Sequence, residues 1–87
     1  MDTIIEDSLD AQIALRIRAE REARDWSLDE LAQRSGVSRA MISKVERQES
    51  SPTAVLLGKL SAAFGLTLSQ LLVRAEQGQA GLAVHRR

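Results

Sequence analysis

Arg39, Ala40, Ser43, Lys44 and Arg47 recur at steps of one, three, four and seven, and the stretch from Arg34 to Lys44 holds three bases and no acid. On an α-helix such spacing gathers side chains into one stripe. Small residues let a helix sink into the major groove of a duplex, which is roughly 12 Å wide. A serine donates or accepts at base edges, and arginine or lysine addresses guanine or phosphate. The chemistry this stripe offers is therefore recognition rather than bond making. It needs a helix, and that helix needs neighbours to aim it.

The elements that do the aiming follow from caps and periodicity. Asp10 can cap a first helix over about 11–24, with Ile13 and Ile17 on its inner face. Arg16, Arg18, Arg21 and Arg24 interleave there with Glu20 and Glu22 on an expected outer face. "SLDE" at 27–30 reads as a capping box in which Ser27 and Glu30 exchange hydrogen bonds, opening a second helix with Leu28, Leu31 and Ala32 inward. Gly36 ends it, because the residue past a helix often takes positive φ. Ser38 caps a third helix, about 38–47, whose inward contacts are Val37, Ile42 and Val45. Pro52 bars continuation, Thr53 caps a fourth helix over about 54–64 with Leu57, Leu60 and Phe64, and Gly65 stops it. Thr67 and Gln70 repeat the capping-box pattern and open a fifth helix carrying Leu68, Leu71 and Leu72. Residues 1–9 show no periodicity and read as a flexible lead-in, 10–74 as one all-α domain, and 75–87, with two glycines, as a tail or linker.

Composition narrows the function classes. With 87 residues, no cysteine and only Trp26 and Phe64 as aromatics, the chain is one small domain held by aliphatic packing, without disulfide or thiolate metal site. The formal net charge is zero, and residues 2–10 carry four acids and no base, so only a local patch serves as an electrostatic footprint for nucleic acid. No secretory signal and no run of about 18 apolar residues is present, which points to a soluble cytoplasmic protein, on the nucleoid when bound, with no membrane partner. His85 stands alone, so neither a metal site nor a general base is expected. Ser35, Ser38 and Ser43 have no histidine nearby to activate them, and no glycine-rich phosphate loop occurs, so no catalytic residue and no cofactor are expected. Trp26 is read as a packing residue rather than a base-stacking platform.

"LRIRAEREARDWSLDELAQRSGVSRAMISKVER", followed by "SPT" and "LGKLSAAFGLTLSQLL", resembles the phage lambda repressor-like, Cro-type helix-turn-helix transcriptional regulators over about residues 12–73. The resemblance implies a compact five-helix lambda repressor-like domain with its helix-turn-helix at helices two and three. It implies a recognition helix in the major groove of double-stranded DNA, with Arg39, Ala40, Ser43 and Lys44 contacting bases. Ser27, Ser38, Arg47, Ser50 and Thr53 would hold phosphates, and Arg21 would form a structural salt bridge with Glu46. It further implies a repressor; because one such module buries only about 600–1,000 Å² on DNA, a homodimer on DNA is expected. The C-terminal part is similar to the DNA-binding end of bacterial regulators that continue into a cupin sensor domain, which is absent from this chain. The sequence departs from the family pattern at Glu20, where an apolar residue is usual, and at Asp25 and Gln48, where glycine is usual. A left-handed backbone costs a residue with a Cβ about 1–2 kcal/mol. Two other readings are an antitoxin or adaptor, whose main work is binding a protein partner, and an accessory domain of an enzyme.

Overall fold

The computed structural model describes the backbone from Asp2 to His85 and the side chains of residues 9–77. Five helices follow one another: α1 (Asp2–Ala23), α2 (Leu28–Ser35), α3 (Arg39–Glu46), α4 (Ala54–Ala63) and α5 (Leu68–His85). Among the described residues there is no strand, so the expected all-α, five-helix class is what the chain adopts. α1 packs on α5 and α3, α2 on α3 and α4, and α4 on α5. Their shared core holds Ile13, Ile17, Leu31, Ile42, Leu60 and Leu71, each at most 6% exposed. No single described helix is long and apolar enough to cross a membrane; α4 and the first part of α5 reach that hydropathy only as a pair bent by 88°.

The punctuation works as the residue types dictate. Ser38 and Thr53 accept from the amides of Met41 and Leu56, both at 3.1 Å. Thr67 and Gln70 complete a reciprocal capping box, at 2.9 and 3.0 Å. The box expected at Ser27 is only half made: Ser27 Oγ accepts from the Glu30 amide at 3.0 Å, but the Glu30 carboxylate turns to Arg34, 2.7 Å away. An arginine one turn on competes successfully for a carboxylate that a single amide would otherwise hold. Gly36 and Gly65 take φ of 76° and 78° and close α2 and α4.

Both chain-terminal expectations are corrected. α1 starts at Asp2 rather than near residue 11, which puts Asp10 inside the helix instead of at its cap. No glycine or proline interrupts residues 2–23, and the acids of that segment favour a helix N-terminus. α5 runs on to His85 rather than fading after Val73, and Ala75, expected in a tail, is core at 3% exposure. The glycines of that segment, each disfavoured in a helix interior by about 1 kcal/mol relative to alanine, do not end α5. Met1, Arg86 and Arg87, within the expected lead-in and tail, lie outside the described residues, as does the side chain of His85.

Glu20 is the main departure inside the fold. Expected on the outer face of α1, it is 4% exposed. Arg24 donates to its carboxylate at 2.8 Å and Arg74 of α5 at 3.0 and 3.2 Å, with Arg16 at 3.5 Å. The second Arg24 nitrogen reaches the Phe64 carbonyl at the end of α4, 2.8 Å away. One buried carboxylate thereby joins α1 to α5, while its partner Arg24 joins α1 to α4. Burial pushes the Glu20 carboxyl up, but the hydrogen bonds from Arg24 and Arg74, with their charges, outweigh it and hold the group below its ordinary value of 4.5. A carboxyl lowered on folding contributes stability above its unfolded pKa and loses it as pH falls through the folded one. Glu20→Gln is therefore expected to cost about 1–3 kcal/mol at neutral pH. Its thermal midpoint is also expected to fall less than that of the unaltered chain when the pH is lowered below 4.5. Parallel acid curves for the two proteins would remove Glu20 as the titrating group.

Candidate nucleic-acid interface

α3 is eight residues long and opens on Ser38 in an extended conformation, φ −64° and ψ 147°. Ile42 and Val45 are buried at 0% and 1% exposure, with Val37 just before them at 8%. That burial fixes the rotation of the helix and turns Arg39, Ala40, Lys44 and Arg47 to the outside, with Ser43 half-buried between them. These five and Leu28, at the first turn of α2, line one shallow groove. The structure thus brings Arg39, Ala40, Ser43, Lys44 and Arg47 together.

The other singled-out residues are spread around that groove. Ser27 and Ser38 are exposed at the N-termini of α2 and α3, and Thr53 is exposed at that of α4. Ser38 and Thr53 share a second shallow groove with Val37, Met41, Val55 and Lys59. Ser50 is half-buried in a separate cleft with Asp10, Gln48 and Ser51, where the Ser51 hydroxyl donates to the Asp10 carboxylate at 3.0 Å. The groove of the stripe does not include it.

The C-terminal end of α3 is held by a fork. Arg21 of α1 donates from Nε to Glu46 Oε2 at 2.8 Å and from Nη2 to Oε1 at 2.9 Å, and its Nη1 donates to the Trp26 carbonyl at 2.9 Å. The two side chains are 13% and 7% exposed. Hydrogen bonding to Glu46 holds the Arg21 guanidinium above its ordinary value against the opposing effect of burial. Trp26 stacks on Phe64, ring centroids 6.0 Å apart, and the Arg34 guanidinium lies 4.3 Å from its ring centre. It is a half-buried packing residue of the α1–α2 turn.

Beyond Glu46 the chain turns through Gln48 at φ 62°, and α1 ends likewise through Asp25 at φ 58°. Both are left-handed C-caps of the Schellman type. The Glu49 amide donates to the Lys44 carbonyl at 2.8 Å and the Gln48 amide to Val45 at 3.0 Å, while Trp26 and Asp25 donate to Arg21 and Glu22 at 3.1 and 3.0 Å. Two side chains with a Cβ thus occupy positions where glycine carries no penalty.

Sequence reasoning missed two residues of this surface. Leu28 packs against the core as its inward position predicts, but it is only half-buried and also walls the groove. Asp29, passed over inside "SLDE", reaches Arg39 Nε at 3.4 Å. No sequence spacing relates Asp29 to Arg39, since they sit on different helices.

Comparison with known proteins gives the family of the chain. The family model described as "Helix-turn-helix" (HTH_3) matches residues 17–71. The chain is 42% identical over 52 residues, 60% of its length and 29% of the relative's, to the HTH-type transcriptional regulator SutR of Escherichia coli. It is 33% identical over 72 residues to the Neisseria hypothetical transcription factor of Neisseria meningitidis, covering 83% of this chain and 68% of the other. A solved HTH_3 family transcriptional regulator from Vibrio cholerae superposes with a TM-score of 0.72 at 38% identity, covering 79% of this chain and 39% of that one. The chain belongs to this helix-turn-helix family, a family of DNA-binding transcriptional regulators. It spans about a quarter to a third of the length of several curated relatives it matches, 29% of one and 25% of another.

The left-handed position after α3 generates a stability test. Gln48→Gly is expected to raise unfolding free energy by up to about 1 kcal/mol, the steric penalty being partly offset by glycine's greater entropy when unfolded. Urea unfolding measures it, and a lower midpoint in the glycine variant would contradict the assignment of backbone strain to this loop.

Proposed function

We propose that this chain is the sequence-specific double-stranded-DNA-binding module of a repressor, with α3 in the major groove. The observation that carries the reading is the division of α3 itself. Ile42 and Val45 are sealed in the core while Arg39, Ala40, Lys44 and Arg47 surround Ser43 on a single outward groove. In this reading Arg39, Ala40, Ser43 and Lys44 meet base edges, the small Ala40 allowing close approach. Arg47, with Ser27, Ser38 and Thr53 at helix N-termini, holds phosphates, where free amides and the helix dipole favour an anion. Ser50 is assigned to the phosphate set by resemblance alone. No bond is made or broken; phosphate contacts set position and base contacts discriminate.

One such module buries only about 600–1,000 Å² on DNA, which favours two copies on half-sites about one helical turn apart. Val55, 70% exposed beside half-buried Leu56, is apolar surface available to a second copy. In the same reading the module serves a cytoplasmic bacterial regulator, similar at its C-terminal part to those whose DNA-binding end is followed by a cupin-type sensor domain.

Two substitutions separate the roles. Arg39→Ala is expected to cost about 1–3 kcal/mol on a selected site and to relax preference at one base position. Arg47→Ala is expected to weaken binding to every duplex and lower the salt slope by about one ion. Filter or anisotropy titrations over a salt series measure both. Equal loss on all sequences for Arg39→Ala would reassign Arg39 to phosphate, and an unchanged slope for Arg47→Ala would remove Arg47 from the contacts.

A further inference from the structure

The outward arginines of the stripe bring their own counter-ions. Asp29 of α2 faces Arg39, Oδ1 to Nε at 3.4 Å, and Glu49 of the following turn faces Arg47, Oε1 to Nη2 at 3.2 Å. Lys44, between them, has no ion-pair partner among the described residues. The two pairs differ in kind from the fork of Arg21 and Glu46. Each is a contact at a single point, with side chains 64% and 72% exposed for the first pair and 60% and 53% for the second. Exposed one-point pairs stabilise a fold very little and exchange readily with solvent or another anion. They are too loose to brace an arginine, yet they place a carboxylate at each end of the surface that a phosphate backbone would approach.

We propose that Asp29 and Glu49 act as internal counter-ions that lower affinity for duplexes of any sequence, and that Asp29, which faces the base-reading Arg39, is the specificity-determining one of the two, lowering affinity for random sequence more than for the right one. The inference rests on the DNA-binding reading and goes beyond it. Non-specific binding is almost wholly attraction of cations to phosphates and release of ions from the duplex. An arginine already faced by a carboxylate gains less from a phosphate, because the displaced acid is left beside another negative charge. At the correct site Arg39 gains more than a phosphate contact, since its fork can meet two acceptors on one guanine edge. The same acid therefore taxes random sequence fully and the correct sequence in part. A net charge of zero in a chain with an outward cationic stripe fits this arrangement.

The experiment uses Asp29→Asn, Glu49→Gln and the double variant, titrated against a labelled random-sequence duplex and a duplex recovered by selection, over a range of salt. The double variant is expected to bind the random duplex about tenfold tighter at low salt, with a salt slope steeper by one to two ions. The selected duplex is expected to gain no more than about threefold, so that the ratio of specific to non-specific affinity falls. Glu30→Gln is the control, because Glu30 pairs with Arg34 at 2.7 Å away from the groove, and it is expected to leave the ratio unchanged. Unchanged or weaker random binding in the double variant, an equal gain on both duplexes, or the same effect from Glu30→Gln would each overturn the proposal. Failure of the unaltered chain to bind either duplex would instead bring down the DNA-binding reading, and this inference with it.

Discussion

The guanidinium of Arg21 is the fastening on which the outward surface depends. α3 has eight residues, fewer than the roughly 12–15 at which an isolated helix begins to persist in water. Its inner side chains set its rotation, but apolar contacts alone leave a short helix free to slide and tilt. The two parallel hydrogen bonds to Glu46 fix the direction of its last turn against α1, and the third, to the Trp26 carbonyl, fixes the turn that leads into α2. A planar fork does this in a way a lysine ammonium could not. Buried ion pairs are weak sources of net stability, and the role here is positional: one side chain registers three segments against each other.

α1 does this work on two sides. Successive residues of an α-helix diverge by about 100°, so adjacent Glu20 and Arg21 address different partners. Arg21 reaches α3, while Glu20 gathers Arg24 and the Arg74 of α5. The charged groups of a nominally neutral chain are thus sorted by burial. Those inside are multiply hydrogen-bonded and fix geometry, while those on the stripe are loosely paired and exposed, and remain free to exchange partners.

Much of this was legible from residue types alone. Ser27, Ser38, Thr53 and Thr67 mark helix starts because their hydroxyls satisfy amides that nothing else reaches, and Gly36 and Gly65 mark ends because only glycine turns left-handed without strain. The stripe on α3 followed from a helical period already set by Ile42 and Val45. Apart from Glu30, whose competing donor Arg34 lies only one turn on, the failures share a cause, which is that local patterns do not contain tertiary partners. Glu20 looked solvated because a lone carboxylate cannot be buried, and its partner Arg74 lies 54 residues away. Glu30 looked like half of a capping box until Arg34 offered a charged donor. Ala75 and the length of α5 were hidden by two glycines that read in the sequence as helix breakers, and Asp29 becomes a neighbour of Arg39 only once α2 and α3 are folded together.

The central claim is that a braced α3 presents its outward stripe to a duplex. Amide spectra of the isotope-labelled chain, titrated with a duplex recovered by selection from random sequence, test it most directly. The account predicts that the largest shifts fall on residues 38–47 and on the first turn of α2, while the core amides of α5 stay nearly still. Shifts centred on α5 or spread evenly over the surface would contradict it, as would a selection that enriches no sequence at all.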